Sequence, residues 1–145
     1  MSGTWTGNWI AWALLSAVFA AATAILAKVG VAHVDSNLAT AIRTTVVVVF
    51  AWAIALALGK HGGLRDVDAK AWVFLALSGL GTGLSWLCYF RALQLGPASR
   101  VAPLDKLSVV LVMVFAVLFL GEKMTPWAIV GGGLIAAGAV VMVLA

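Results

Sequence analysis

Five times along its length this chain returns to an apolar run long enough to cross a lipid bilayer. A helix that traverses a ~30 Å hydrocarbon core needs about 20 residues at 1.5 Å each. The runs place spans at about 9–30, 36–58, 71–92, 97–120 and 124–145. Connections are short, the longest being the polar stretch from Gly59 to Lys70. No strand-like alternation interrupts the pattern, so a β-barrel is excluded. Hydrophobic residues make up 64% of the chain and charged residues 10%, too few polar groups to cover a water-soluble surface. The predicted fold is all-α, one five-helix transmembrane domain over residues 1–145. The first span is read as a mature helix rather than a cleaved signal. No Lys or Arg precedes Lys28, and the apolar run is longer than an h-region.

The same composition excludes several functions. Net charge is +4, but the nine Lys and Arg residues stand singly between apolar runs, which does not make a nucleic-acid surface. A lone Cys88 rules out an internal disulfide and any multi-cysteine metal site. His33 and His61 lie in connections without a ligand cluster, so no metal is expected. The run Gly79-Leu80-Gly81-Thr82-Gly83 follows no strand and lies inside a span, so it is not a nucleotide loop. No nucleophile–base arrangement is present, and neither enzymatic activity nor a cofactor is implied.

Charges at depth are the candidates for function. The uncharged part of the fourth span runs only from Leu107 to Gly121, about 22 Å of helix. To cross the bilayer the helix must begin near Pro97, a residue suited to a first turn. Asp105 and Lys106 then enter the membrane, roughly 12 Å along, and Pro103 is expected to bend the helix in its second turn. Arg43 lies about 10 Å into the second span, whereas Lys28 and Arg91 are shallow enough to snorkel.

Orientation is weakly specified. Lys60, Arg65, Lys70 and Lys123 fall on the side of the first helix's N-terminus, and Lys28, Arg91 and Arg100 on the other. So even a balance of Lys and Arg fits insertion both ways round, although the longest loop alone would put its own side in the cytoplasm. Trp5, Trp9, Trp12, Trp72 and Trp127 fall at the first side, where aromatic rings anchor at headgroup level. A unit with an odd number of spans, repeated, enters the membrane inverted. Antiparallel pairing of two copies would rebuild the ten-helix arrangement of such duplicated transporters.

The junction of the third and fourth spans reads Arg91-Ala92-Leu93-Gln94-Leu95-Gly96-Pro97-Ala98-Ser99-Arg100-Val101-Ala102-Pro103-Leu104. The fourth span ends Phe119-Leu120-Gly121-Glu122, and the fifth carries Gly131-Gly132-Gly133-Leu134-Ile135-Ala136-Ala137-Gly138. In these motifs, and in span number and spacing over essentially its whole length, the chain resembles the EamA-type repeat of the drug/metabolite transporter superfamily. It is most similar to short members with a single repeat. The resemblance implies a secondary transporter with a central site between inverted halves, here an antiparallel homodimer in a prokaryotic plasma (inner) membrane. Asp105-Lys106 departs from the commoner pattern, in which uncharged residues stand there.

Deep ionisable residues pair with one another or line a water-filled path. Two readings follow. Asp105 could lock the second span to the fourth through an ion pair. Alternatively Arg43 and Lys106 bind an anionic group, with Lys28 and Arg91 at the mouth. Asp105 would then orient them, bind an amine or exchange a proton. As helical neighbours, Asp105 and Lys106 project ~100° apart, so one would face the cavity and the other a partner helix. Trp86 and Tyr89, extended by Phe90, form either an aromatic wall or ordinary packing. Gly132, Gly133, Ala136 and Ala137 have the small-xxx-small spacing of a helix-pairing face and are the candidate dimer contact. Glu122, in an antiparallel dimer, would lie on the partner's Lys28 and Arg91 side.

The expected substrate is a small anionic or zwitterionic metabolite of amino-acid or organic-acid type, and the remaining partners are membrane lipid and a second copy. The alternatives are a small multidrug-type cation exporter and a non-transporting membrane subunit whose buried charges are assembly contacts. The first depends on an acid in the first span, and the first acid here, Asp35, lies beyond it.

Overall fold

The computed structural model describes residues 9–144. Its elements in order are α1 (Trp9–Gly30), α2 (Ser36–Ala57), a short 3₁₀ helix (Lys60–Asp66), α3 (Ala69–Leu95), α4 (Ala98–Asp105), α5 (Leu107–Leu120) and α6 (Pro126–Leu144). Among the described residues there is no strand. Five helical stretches are long and apolar enough to cross a membrane, with α4 and α5 together forming the fourth, Ala98–Leu120. Trp5 lies outside the described residues. Trp9, Trp12, Trp72 and Trp127 are all exposed, as rings at a headgroup belt must be.

Helix ends follow local chemistry. Asp35 caps α2, its Oδ1 accepting from the Asn37 and Leu38 amides at 2.9 and 3.2 Å. Asp68 does the same for α3 through the Ala71 amide at 2.7 Å, and Thr125 for α6, ahead of Pro126 at its first position. Gly121 ends α5 in the left-handed conformation, φ +67°. The Glu122 amide then reaches back to the Ala116 carbonyl at 3.1 Å, satisfying a group that would otherwise be orphaned in an apolar setting. Gly59, φ +65°, ends α2 in the same way. The polar stretch after it is not an open loop, because Lys60–Asp66 winds into the 3₁₀ helix.

The structure interrupts the fourth span in a different place from the one expected. Helix α4 runs through Pro103 to Asp105, and regular geometry lapses only at Lys106. The Lys106 amide bonds Pro103 O at 3.0 Å and the Val109 amide bonds Lys106 O at 3.0 Å, both three-residue spacings. Proline's missing N–H and its ring act on the turn before it, whereas the tightening into three-residue bonds falls on the turn after it, at Lys106.

The chain divides into two compact units. One combines residues up to Val29 with those from Leu95 onward, and the other is Gly30–Gln94. In the first, α6 packs along both α4 and α5. Its inward stripe includes Gly132 and Ala139, both buried. A Cβ at Gly132 would lie 2.8 Å from Met113 Sδ and 2.9 Å from its Cε, so this glycine lets α6 close over the Met113 side chain of α5. Gly132 therefore serves packing within its own unit. Gly133 and Ala137 remain exposed, and Ala136 is half-buried. In the second unit Val31, Phe90 and Leu93 are buried together with Ser36 and Thr40.

Candidate functional site

The second unit holds the most unusual charge. Arg43, inside α2, lies over the ring of Trp86 with its Cζ 4.2 Å from the centroid, and over Phe90 at 5.3 Å. Trp86 and Phe90 are four residues apart and share one face of α3, as a helix requires. Within this unit no carboxylate comes within 4 Å of the guanidinium. Aromatic faces attract a cation by about 0.5–2 kcal/mol without cancelling its charge. Of the three aromatic residues expected to form a wall, Trp86 and Phe90 both lie against the Arg43 guanidinium. Tyr89, on the same helix, is half-buried and also takes part in an interaction.

Lys106 and Asp105 pair with each other. Lys106 Nζ is 3.3 Å from Asp105 Oδ2 in a partly exposed contact. Lys106 sits at the junction of α4 and α5.

Lys28 and Arg91 are held locally. Half-buried Lys28 donates to the Gly96 carbonyl at 2.8 Å, just beyond the C-terminal end of α3, where helix carbonyls favour a cation. Arg91 donates through Nη1 to Gln94 Oε1 at 3.0 Å. Gln94 in turn donates from Nε2 to Val34 O at 2.7 Å and Val31 O at 3.2 Å, fastening the turn before α2 to the end of α3. Sequence reasoning passed over Gln94. The signal was its place three residues after Arg91, on one helix face at the membrane edge.

Also unread in the sequence is a hydroxyl stripe on α2. Asn37, Thr40, Thr44 and Thr45 recur at helical spacing and, with Ala41, Val48 and Val49, line a groove of about 420 Å³ completed by Gly83 and Leu87 of α3. Thr40, Thr44 and Thr45 each donate to the carbonyl four residues back, at 2.8, 2.7 and 3.0 Å. Cys88 is exposed. Among the described residues no group of His, Cys, Asp or Glu is arranged to hold a metal.

A model of the EamA-like transporter family matches residues 7–144. The chain belongs to the EamA-like transporter family. It is also similar to a protein of Sinorhizobium sp named "Uncharacterized transporter in cobO 3'region", 56% identical over 135 residues, covering 93% of this chain and 96% of that one. No solved structure matches. Family membership and the five apolar helices together make this a multi-pass integral membrane protein of a transporter family.

Proposed function

We propose that the chain carries a small anionic or zwitterionic metabolite, of amino-acid or organic-acid type, across a prokaryotic plasma membrane by alternating access. It works as an antiparallel homodimer, with the substrate path in a cavity that the two copies enclose. The observation that carries the substrate class is Arg43. Its guanidinium lies at a depth where an isolated charge costs roughly 2.5–3.5 kcal/mol on insertion scales, and its contacts are aromatic rings rather than an acid. An arginine oriented by a ring face keeps N–H donors available for a carboxylate, which its planar fork matches in bidentate fashion.

Lys106, already beside Asp105, and Lys28 and Arg91, already bonded locally, act as supporting charge along the path. The exposed Gly133 and Ala137 face of α6 supplies a close-packing surface for the second copy.

Reconstituted protein loaded with a panel of amino and organic acids tests the reading by counterflow of the labelled compounds. Arg43→Gln is expected to lower anion exchange about tenfold or more, and Arg43→Lys to recover part of it, since charge returns without the fork. Undiminished anion exchange by Arg43→Gln, or exchange of organic cations alone, would overturn it.

A further inference from the structure

Among the five acidic residues of the sequence, Asp105 alone lies inside a membrane-spanning stretch, Ala98–Leu120. The others stand at or beyond helix ends. Asp35 and Asp68 cap α2 and α3 through their carboxylates, Asp66 closes the 3₁₀ helix and Glu122 follows α5. Asp105 is also close to a helix start, two residues before Leu107 of α5, yet no α5 amide donates to it. Its contact is with Lys106, whose Nζ is 3.3 Å from Oδ2. Among the described residues Oδ1 accepts no hydrogen bond.

Little else bears on the charge of Asp105. The helices packed on α4, namely α5 and α6, contain no titratable side chain. Arg100, earlier on α4, forms no ion pair among the described residues, and Lys28 of the same unit is bonded to the Gly96 carbonyl. The pair is thus a two-state element with a single control. While Asp105 is ionised it holds the Lys106 ammonium. A proton on the carboxylate cancels the charge that holds it. Lys106 is then a free cation about 12 Å along the span, where lipid tails offer no counter-charge. An anion drawn to Lys106 and a proton on Asp105 therefore favour each other, and that linkage is reciprocal. Carboxylates embedded in membrane spans serve proton relays on the same physics.

We propose that Asp105 is the proton-carrying residue of transport. Its carboxylate takes up one proton as the substrate carboxylate arrives, which releases Lys106 to that anion. It gives the proton up on the other side as the anion leaves and Lys106 returns. One proton moves with each substrate molecule, in the same direction. The inference rests on the reading of the chain as a carrier of carboxylates and names the ion coupled to it. The proton's charge is separate from that of Arg43 and adds to it.

Proteoliposomes with the membrane potential clamped at zero by potassium and valinomycin separate the two readings. Labelled L-leucine, L-glutamate, succinate and citrate are offered first for counterflow, then for uptake driven only by a pH gradient, one unit more acid outside. Those that exchange in counterflow are expected to accumulate about tenfold, because one pH unit is a factor of ten per proton. Asp105→Asn should abolish accumulation and keep counterflow, and Asp105→Glu should recover accumulation. Where Asp105→Asn fails to fold because Lys106 is stranded, the double change Asp105→Asn, Lys106→Gln removes both charges at once. It too should exchange without accumulating.

Wild-type counterflow without accumulation on the pH gradient overturns the proposal and leaves the carrier reading intact. Accumulation driven by a sodium gradient in its place has the same meaning. Accumulation by Asp105→Asn equal to wild type also overturns it. So does loss of counterflow and accumulation together in both the single and the double variant, which makes the pair structural. If wild type exchanges none of the four compounds, the carrier reading fails for them and the proton assignment falls with it.

Discussion

At the scale of single residues, polar groups in this protein divide into those engaged with backbone and those presented to something else. Gln94 is the clearest of the first kind, one amide serving Val31 O, Val34 O and the Arg91 guanidinium. Gln94→Ala leaves two carbonyls in a largely apolar setting without their donor. It is expected to cost about 1–3 kcal/mol, seen as a lower melting temperature in detergent, with Gln94→Glu failing to restore it because a carboxylate cannot donate. Arg43 is of the second kind. Its depth was legible from its distance along the second span, because rise per residue is fixed. Its partners were not, since Trp86 and Phe90 meet it from a helix more than forty residues away in sequence. The threonine stripe was legible in principle from its helical spacing, and the long apolar run around it obscured it.

At the scale of elements, the five spans were written plainly in hydropathy, because about 20 apolar residues in a row have few other uses. Their ends were less so. Helix α3 extends to Ala69–Leu95 against the expected 71–92, as Asp68 caps its start. The interruption at Lys106 was displaced from Pro103 because hydrogen-bond rearrangement, not the ring itself, decides where the helix lapses. Gly132 and Gly133 of α6 make contrasting demands. Gly132→Val must push into Met113, and overpacking of this kind costs about 1–3 kcal/mol. A lowered melting temperature that Met113→Ala partly recovers is the expected result. Gly133→Val, with open space around it, should leave that temperature unchanged and weaken self-association if the exposed face pairs with a second copy. Sedimentation in detergent reads the difference.

At the scale of the molecule, the balanced placement of Lys and Arg predicts chains inserted in both directions. Single cysteines at His33 and His61, in a Cys88→Ala background, report the two sides of the membrane. In intact cells an impermeant thiol reagent should label a substantial fraction at each position. Complete labelling at one and complete protection at the other would fix one orientation and remove the basis for an antiparallel dimer. Neither family membership nor helix number decides this, because five spans satisfy hydropathy equally well either way up. Only the small difference in flanking charge sets the preference.

The aromatic seat of Arg43 has an electrical consequence. Rings orient a cation and leave its charge in place, so the unloaded protein carries a positive charge within the low-dielectric part of the membrane. The transmembrane potential acts on such a charge with about 2.3 kcal/mol per 100 mV for a full crossing. Under the proposed function, a carboxylate seated on the guanidinium would cancel it, and voltage would then act on the empty form and hardly at all on one carrying a monoanion. With a zwitterion the charge would return, and the membrane potential would act on the loaded form as strongly as on the empty one.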